Sequence, residues 1–324
     1  MKKKFSAGLW VFAQSVDKFG GYTQTLTVEE QIKAAASVPG LDGVELIAPL
    51  HVDMDTVYQV QAYLKEAELD VVSVNPYLWT EPIWQRGALT SPNPKVREQA
   101  IARGKLAVDL ARLLGATKMC LWPGEDGWDY HFQSNYNFLW DSTVDGIREI
   151  AEYGADIQIG IEYKMKEPRT HMLVGTAAKA ALLGIELGLS NVGAYLDFGH
   201  ALMANENPAE SVALLSRHKR LVGVHVNDNY GSGDDDVIVG SVHFWAIIEF
   251  LYELERNGYD DWISLDIVPT RENIVEACQQ SIINLNNLYS LIQRLDQTKL
   301  NSAQKEMDAI RAQAIAQEMI IKAS

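Results

Sequence analysis

Eight short apolar runs, separated by stretches of helical spacing, limit what this 324-residue chain can fold into more than any other feature. They occupy residues 5–13, 44–48, 71–75, 118–122, 157–163, 192–198, 221–227 and 262–268. Each is short and β-rich, the pattern of a strand covered on both faces in a parallel sheet. Between them, Thr27-Val28-Glu29-Glu30-Gln31 opens with a capping-type start and residues 94–114 carry a second helical pattern. Ile247, Ile248, Leu251 and Leu254 fall on one stripe of a third. Eight strands alternating with helices predict an α/β fold, the (β/α)8 TIM barrel. A doubly wound open sheet is the competing fold, but no GxGxxG follows the first run and no GxxxxGK[ST] occurs.

The same pattern divides the chain into a TIM-barrel catalytic domain, 1–290, and a C-terminal helical extension, 291–324. Barrels of about 250 residues fold as one unit. In the extension, Leu300, Ala303, Met307, Ile310, Ala314 and Ile321 form a heptad-like stripe on an otherwise polar helix. A barrel covered by eight helices has little apolar surface left to offer it. The expectation is therefore a helix that embraces a neighbouring subunit in a homo-oligomer, with packing on its own barrel the other reading.

Charge narrows the partners. Lys and Arg number 28 against 43 Asp and Glu, a net charge of −15, which argues against nucleic-acid or anionic-membrane binding. No apolar run approaches the roughly 20 residues of a membrane span. The start, Met1 to Lys4 followed by residues 5–13, is too short and aromatic for a secretory signal core. Cys120 and Cys278 lack CxxC partners, so a disulfide framework and a thiolate zinc site lack support, and a cytoplasmic location is expected.

In a barrel the chemistry sits at the C-terminal ends of the strands. Run five ends Ile161-Glu162-Tyr163-Lys164, and residues two apart share a face, so Glu162 and Lys164 are expected to point into one mouth. Run six leads to Asp197 and His200, run seven carries His225, Asn227 and Asp228, and run eight leads to Asp266. Taken alone, Asp234 to Asp236 read as a solvated loop. A Glu inside an apolar strand differs, because an ionised carboxylate there is costly unless paired or bound to metal. Acids and imidazoles from four consecutive strands therefore predict a divalent cation, and hard oxygen donors with one or two imidazoles suit Mn2+, Mg2+ or Co2+. The loop after run four, Trp122-Pro-Gly-Glu-Asp-Gly-Trp128-Asp-Tyr-His131, offers flat indole faces to a ligand, with core packing the other reading of Trp122. Trp122, Trp128 and Asn227 are the substrate-binding candidates. His131 is a candidate general acid/base, or else a surface histidine. Trp10, His171 and His243 read as packing and structural residues.

At this level of detail the chain resembles a known family. The stretch Ile161-Glu162-Tyr163-Lys164-Met165-Lys166-Glu167-Pro168-Arg169, then Leu196-Asp197-Phe198-Gly199-His200-Ala201, then Asp234-x-Asp236, then Leu265-Asp266-Ile267-Val268-Pro269-Thr270-Arg271-Glu272, resembles the second half of xylose isomerase in order and approximate spacing. Glu-Tyr-Lys, Asp-x-Gly-His and His225 are closer still to L-rhamnose isomerase. The resemblance implies that Glu162, Asp197, His225 and Asp266 hold one metal that binds sugar hydroxyls. It also implies that Asp197, His200, Asp234 and Asp236 hold a second, giving one or two ions per subunit. Lys164 matches the family lysine that polarises the substrate carbonyl, which with Glu162 and His131 completes the catalytic candidates. The implied activity is a metal-dependent interconversion of aldose and ketose, with hydrogen moved between adjacent carbons.

Departures keep alternatives open. The early histidine that opens the sugar ring in xylose isomerases is absent; the third run ends Ser73-Val74-Asn75-Pro76-Tyr77, and His51 follows run two. A ketose 3-epimerase is one alternative, although such barrels usually carry Glu where Asp266 stands. The chain is also similar to C-glycoside deglycosidase α-subunits, lyases acting on 3-keto glycosides beside a small partner subunit. The substrate expected in every case is a small sugar or glycoside.

Overall fold

All eight runs contribute strands, and the strands close into one parallel barrel. The computed structural model describes residues 3–16 and 19–321; Met1, Lys2 and the last three residues of the extension lie outside them. The strands are β1 (Phe5–Gly8), β2 (Gly43–Ala48), β3 (Asp70–Pro76), β4 (Lys118–Leu121), β5 (Gln158–Glu162), β6 (Val192–Asp197), β7 (Leu221–Val226) and β8 (Ile263–Leu265). Their order around the barrel is sequential, and Ser6 closes it by lying opposite both Gly43 of β2 and Ser264 of β8.

The helices outside are α1 (Val28–Ala36), α2 (Val57–Glu66), α3 (Pro94–Leu114), α4 (Tyr136–Tyr153), α5 (Ala177–Leu187), the short α6 (Phe198–Met203), α7 (Pro208–Arg217), α8 (Phe244–Arg256) and α9 (Ile274–Ile292). Thr27 and Glu30 form the capping box that the sequence signals, and the predicted stripe of α8 is buried. Run one is a strand only to Gly8; Leu9–Phe12 is a 3-10 turn whose Leu9, Val11 and Phe12 remain buried. Run eight likewise shrinks to three residues. Continuity of apolar residues there records burial and not strand pairing.

The C-terminal stripe assumes one continuous helix, and the chain forms two: α10 (Gln297–Lys305) and α11 (Ala309–Ile321). Met307, with φ of 52°, turns the backbone into the left-handed region between them, and the Asp308 N–H closes on the Ala303 carbonyl. The stripe is thereby split. Leu300 and Ala303 are buried with Ile315 and Met319, while Met307 and Ile310 are exposed. α11 also contacts α9.

One packing detail inside the barrel prepares the site. The Tyr195 ring of β6 lies across Gly160 of β5 and Gly223 of β7, where a Cβ would stand 2.8 Å and 2.4 Å from it. Glycine on both neighbouring strands lets the ring cross the barrel, and its hydroxyl donates to Glu45 Oε1 of β2 at 2.8 Å.

Candidate active site

The strand ends converge on one cavity of about 300 Å³. Glu162 ends β5, Asp197 ends β6, His225 is the penultimate residue of β7 and Asp266 follows β8. One ligand atom from each of these four lies within 4.8 Å of the others. His225 Nδ1 is 3.0 Å from Glu162 Oε1 and 3.5 Å from Asp266 Oδ2. The Trp10 indole N–H donates to Asp266 Oδ1 at 2.7 Å, so Trp10, expected only to pack, holds this carboxylate and lines the cavity. Asp197 caps α6, accepting from the His200 N–H at 2.7 Å, while Asn227 Nδ2 donates to its other oxygen at 2.9 Å. The same Asn227 amide reaches Asp236 Oδ1 at 3.0 Å. Asn227 therefore fixes two carboxylates and stands behind the cavity wall.

Electrostatics separates these acids. Burial pushes Asp197 up to about 7, with the charges of Asp234, Glu162 and Asp266 adding to it against the opposing pull of His200. Burial and the Glu162 charge raise Asp266, and burial with three neighbouring carboxylates raises Asp236 well above its ordinary range. Burial would also raise Glu162, but His225 and His200 outweigh it and hold Glu162 low. Three carboxylates and one imidazole from four strands, two of those carboxylates pushed toward protonation by their neighbours, are a donor set that fits a hard divalent cation.

Lys164 lines the same cavity, its ammonium 2.6 Å from Asp234 Oδ2 and in contact with Glu167. Burial opposes its charge, and the two carboxylates overcome that and raise its pKa. His200 Nε2 lies 3.1 Å from the same Asp234 oxygen. Burial lowers His200, but Asp197 and Asp234 carry it up to about 9. His200, Asp234 and Asp236 all line the cavity, yet with Asp197 they make no set of three as close as the first four among the described residues.

Besides Trp79 in the aromatic wall, Glu45 and Cys120 escaped the sequence reading. Glu45, fully buried in β2, takes His225 Nε2 at 3.2 Å on Oε1 and the Ser73 hydroxyl at 2.6 Å on Oε2. It opposes burial with these partners and stays ionised, His225 being the largest of them. Carboxylates face both ring nitrogens and raise the pKa of His225 well above its ordinary value against burial; a cation that displaced the Nδ1 proton would leave Nε2 donating to Glu45, the arrangement that sets a metal-binding tautomer. Its signal was present in Gly43-Val44-Glu45-Leu46-Ile47, an acid inside an apolar strand like Glu162. Cys120 of β4 lines the cavity beside Glu162. A lone Cys in an apolar run gave no signal of that.

The aromatic wall is Trp79 and Trp122, ring centroids 4.9 Å apart and edge to face, with Tyr77 next to Trp79. Trp122 reaches the cavity as a sugar-stacking face would; Trp128 and His131 do not. Buried Asp126 accepts from the Ala88 and Thr90 N–H groups at 2.7 and 2.9 Å. Beyond it, Gly127–Trp128 pairs antiparallel with Thr170–Met172 in a small sheet outside the barrel. Trp128 stacks there on His171, and His131 is exposed on the loop.

This fold has counterparts. The profile of the xylose isomerase-like TIM barrel matches residues 32–284. The chain belongs to the xylose isomerase-like TIM-barrel family. Among the relatives of this family member is a Rhizobium meliloti protein named "Probable sugar isomerase", 25% identical over 311 residues that cover 91% of this chain and 71% of that one. Xylose isomerase of Thermus thermophilus is 29% identical over 202 residues, covering 60% of this chain and just over half, 52%, of the enzyme. The fold is also that of a D-tagatose 3-epimerase-like protein, with a TM-score of 0.68, 22% identity and cover of 90% and 98% of the two chains. D-allulose 3-epimerase from Methylomonas gives 0.68 at 18% identity, covering 89% of this chain and 98% of that one. No helix among the described residues is long and apolar enough to cross a membrane.

Proposed function

We propose that this chain is a divalent-metal-dependent sugar isomerase that interconverts an aldose and a ketose. The observation that carries the reading is the convergence of Glu162, Asp197, His225 and Asp266 within 4.8 Å under a cavity walled by Trp79 and Trp122 and entered by Lys164. When bound, a cation such as Mn2+, Mg2+ or Co2+ supplies Lewis-acid polarisation of an α-hydroxycarbonyl. Lys164 holds a proton on Nζ beside the substrate oxygen, and Asp234 and Glu167 keep it charged and aimed. Trp10 and Asn227 fix Asp266 and Asp197, so the donors need no rearrangement on binding. Trp79 and Trp122 cover the apolar face of the sugar and exclude water. The lining carries four carboxylates, and its one ammonium is already paired, which favours a neutral sugar over a phosphorylated one. His200, Asp234 and Asp236, with Asp197, are the residues that would hold a second ion. The exposed faces of Met307 and Ile310 support a contact with another subunit.

A 3-epimerase on the same cavity is the second reading, and the observation favouring it is that His200 is the one histidine lining the cavity among the described residues, with none beside β3 to open a ring. One experiment separates the readings. The protein with Mn2+ is incubated with aldoses, ketoses and 3-keto glycosides in deuterated water, and products are followed by NMR. Aldose–ketose conversion is expected, with or without deuterium at C2. Deuterium at C3 with inversion there would replace isomerase by epimerase, and release of an aglycone would replace it by lyase.

A further inference from the structure

Cys120 adds a different kind of donor to this centre. Its side chain is 2% exposed and lines the cavity, and Sγ lies 3.2 Å from Glu162 Oε2. Glu162 is thus shared: Oε2 faces the sulfur while Oε1 faces His225 Nδ1 at 3.0 Å. Sγ, a Glu162 oxygen and a His225 nitrogen all lie within 4.8 Å of one another. Donors around a tetrahedral ion with bonds of 2.0–2.3 Å stand about 3.3–3.8 Å apart, so this triad needs little movement to close on one. A second imidazole stands beside the other oxygen of Glu162. His200 Nδ1 is buried, has no hydrogen-bond partner, and faces Glu162 Oε1 at 3.6 Å.

We propose that Cys120, Glu162 and His225 form a second, sulfur-containing coordination mode that takes a soft or borderline divalent cation, of the Cd2+ or Zn2+ class, in place of the hard ion. A thiolate beside an imidazole and a carboxylate selects such cations, whereas the oxygen-rich set of Glu162, Asp197, His225 and Asp266 suits Mn2+ or Mg2+. The two modes share Glu162 and His225 and exclude one another. On coordination the Cys120 S–H bond breaks, its proton passes to solvent and a metal–sulfur bond forms. This inference rests on the reading of Glu162 and His225 as metal ligands.

The test uses the full chain with Cd2+ and Mn2+ as probes. Cd2+ should produce an ultraviolet sulfur-to-cadmium charge-transfer band in wild type and in Cys278→Ser, whose thiol is buried on α9, and should release bound Mn2+ seen by EPR. In Cys120→Ser the band should vanish while Mn2+ still binds; Cys120→Val serves if the serine variant does not fold. A band that persists without Cys120, Cd2+ binding to wild type with no band, or Mn2+ that binds and then stays bound when the band forms, overturns the proposal. Wild type that shows the band yet never binds Mn2+ supports the sulfur mode and sinks the hard-ion reading, so the two fail separately.

Discussion

Strands β5 to β8 bring to the barrel mouth a carboxylate or an imidazole each, whereas β1 to β4 bring Trp10, Asn75, Tyr77, Trp79 and Trp122 with one buried acid, Glu45. In the charged half, burial and then mutual repulsion raise Asp197, Asp236 and Asp266 while the histidines hold Glu162 low, and the aromatic half is neutral at the cavity surface. Glu45 belongs to the aromatic half by sequence but acts on the charged one, because Tyr195 and His225 cross the barrel to reach it. The difference teaches that the proposed donors and the groups that aim them need not share a side of the barrel. Glu162→Gln should break the charged half outright. The amide cannot carry the charge that pairs with His225, so activity should be lost with the fold retained. At an Mn2+ concentration of 100 Kd, about 2.7 kcal/mol of ligand-induced stabilisation should also disappear. Melting curves with and without Mn2+ check it; an unchanged Mn2+ shift and full turnover would remove Glu162 from the centre.

The aromatic half has its own titrating group. His51 is buried after β2, and its Nδ1 accepts the Ile47 N–H at 3.0 Å. Burial lowers its pKa from 6.5 to about 4. Between those values the unfolded chain binds a proton that the folded chain refuses. Stability from this site is therefore complete above pH 6.5 and falls as the pH drops toward 4. The full drop is about 3 kcal/mol. Urea unfolding of wild type and His51→Gln across that range checks it: the variant should show the shallower pH slope, and equal slopes would refute the assignment. Because His51 is neither a proposed donor nor part of the cavity lining, the difference between the two slopes should be the same with and without Mn2+.

Next in size is the link between the halves. Glu45→Gln keeps the shape of the side chain but weakens the carboxylate that fixes the His225 tautomer, and Mn2+ affinity should fall about 10–100-fold. Calorimetry measures that loss, and in the diamagnetic Mg2+-loaded protein ¹⁵N shifts of the His225 ring should show the proton no longer confined to Nε2. Unchanged affinity with an unchanged tautomer would make Glu45 a purely structural acid.

The legibility of the two halves follows from the same contrast. Strand ends that carry an acid or imidazole inside an apolar run are visible locally: Glu162 and Asp266 line the cavity, as do His200, Asp234 and Asp236, and the fully buried Asp197 and His225 lie against Glu162 and Asp266. Glu45 carried the same local signal, but nothing near it in sequence says that it faces His225, 180 residues away. Trp128 and His131 were read by closeness to the end of β4, and what carries them off is pairing with residues 170–172, a contact that sequence periodicity does not encode. Likewise the C-terminal stripe has a regular spacing, but the left-handed Met307 cuts it, and spacing alone cannot register a backbone reversal at a residue that is not glycine.

Trp122 gives the smallest and most discriminating effect. Its ring forms part of the wall, its neighbour Trp79 meets it edge to face, and the Lys164 ammonium stands 5.4 Å from its centroid. Two roles are thereby combined, covering the sugar and flanking the ammonium. Trp122→Leu keeps an apolar side chain but removes the flat face, which is worth about 0.5–1.5 kcal/mol beyond buried area. If stacking on the substrate dominates, KM should rise roughly two- to tenfold with kcat almost unchanged, the signature of binding lost equally in ground and transition states. Lys164 is already held by Asp234 and Glu167, two charged partners closer than any ring, so the loss of a cation–π contact should leave its position and charge in place. A fall in kcat at constant KM would reverse that ranking and make Trp122 a positioning residue for Lys164, moving the aromatic half from substrate cover into the machinery of the charged half.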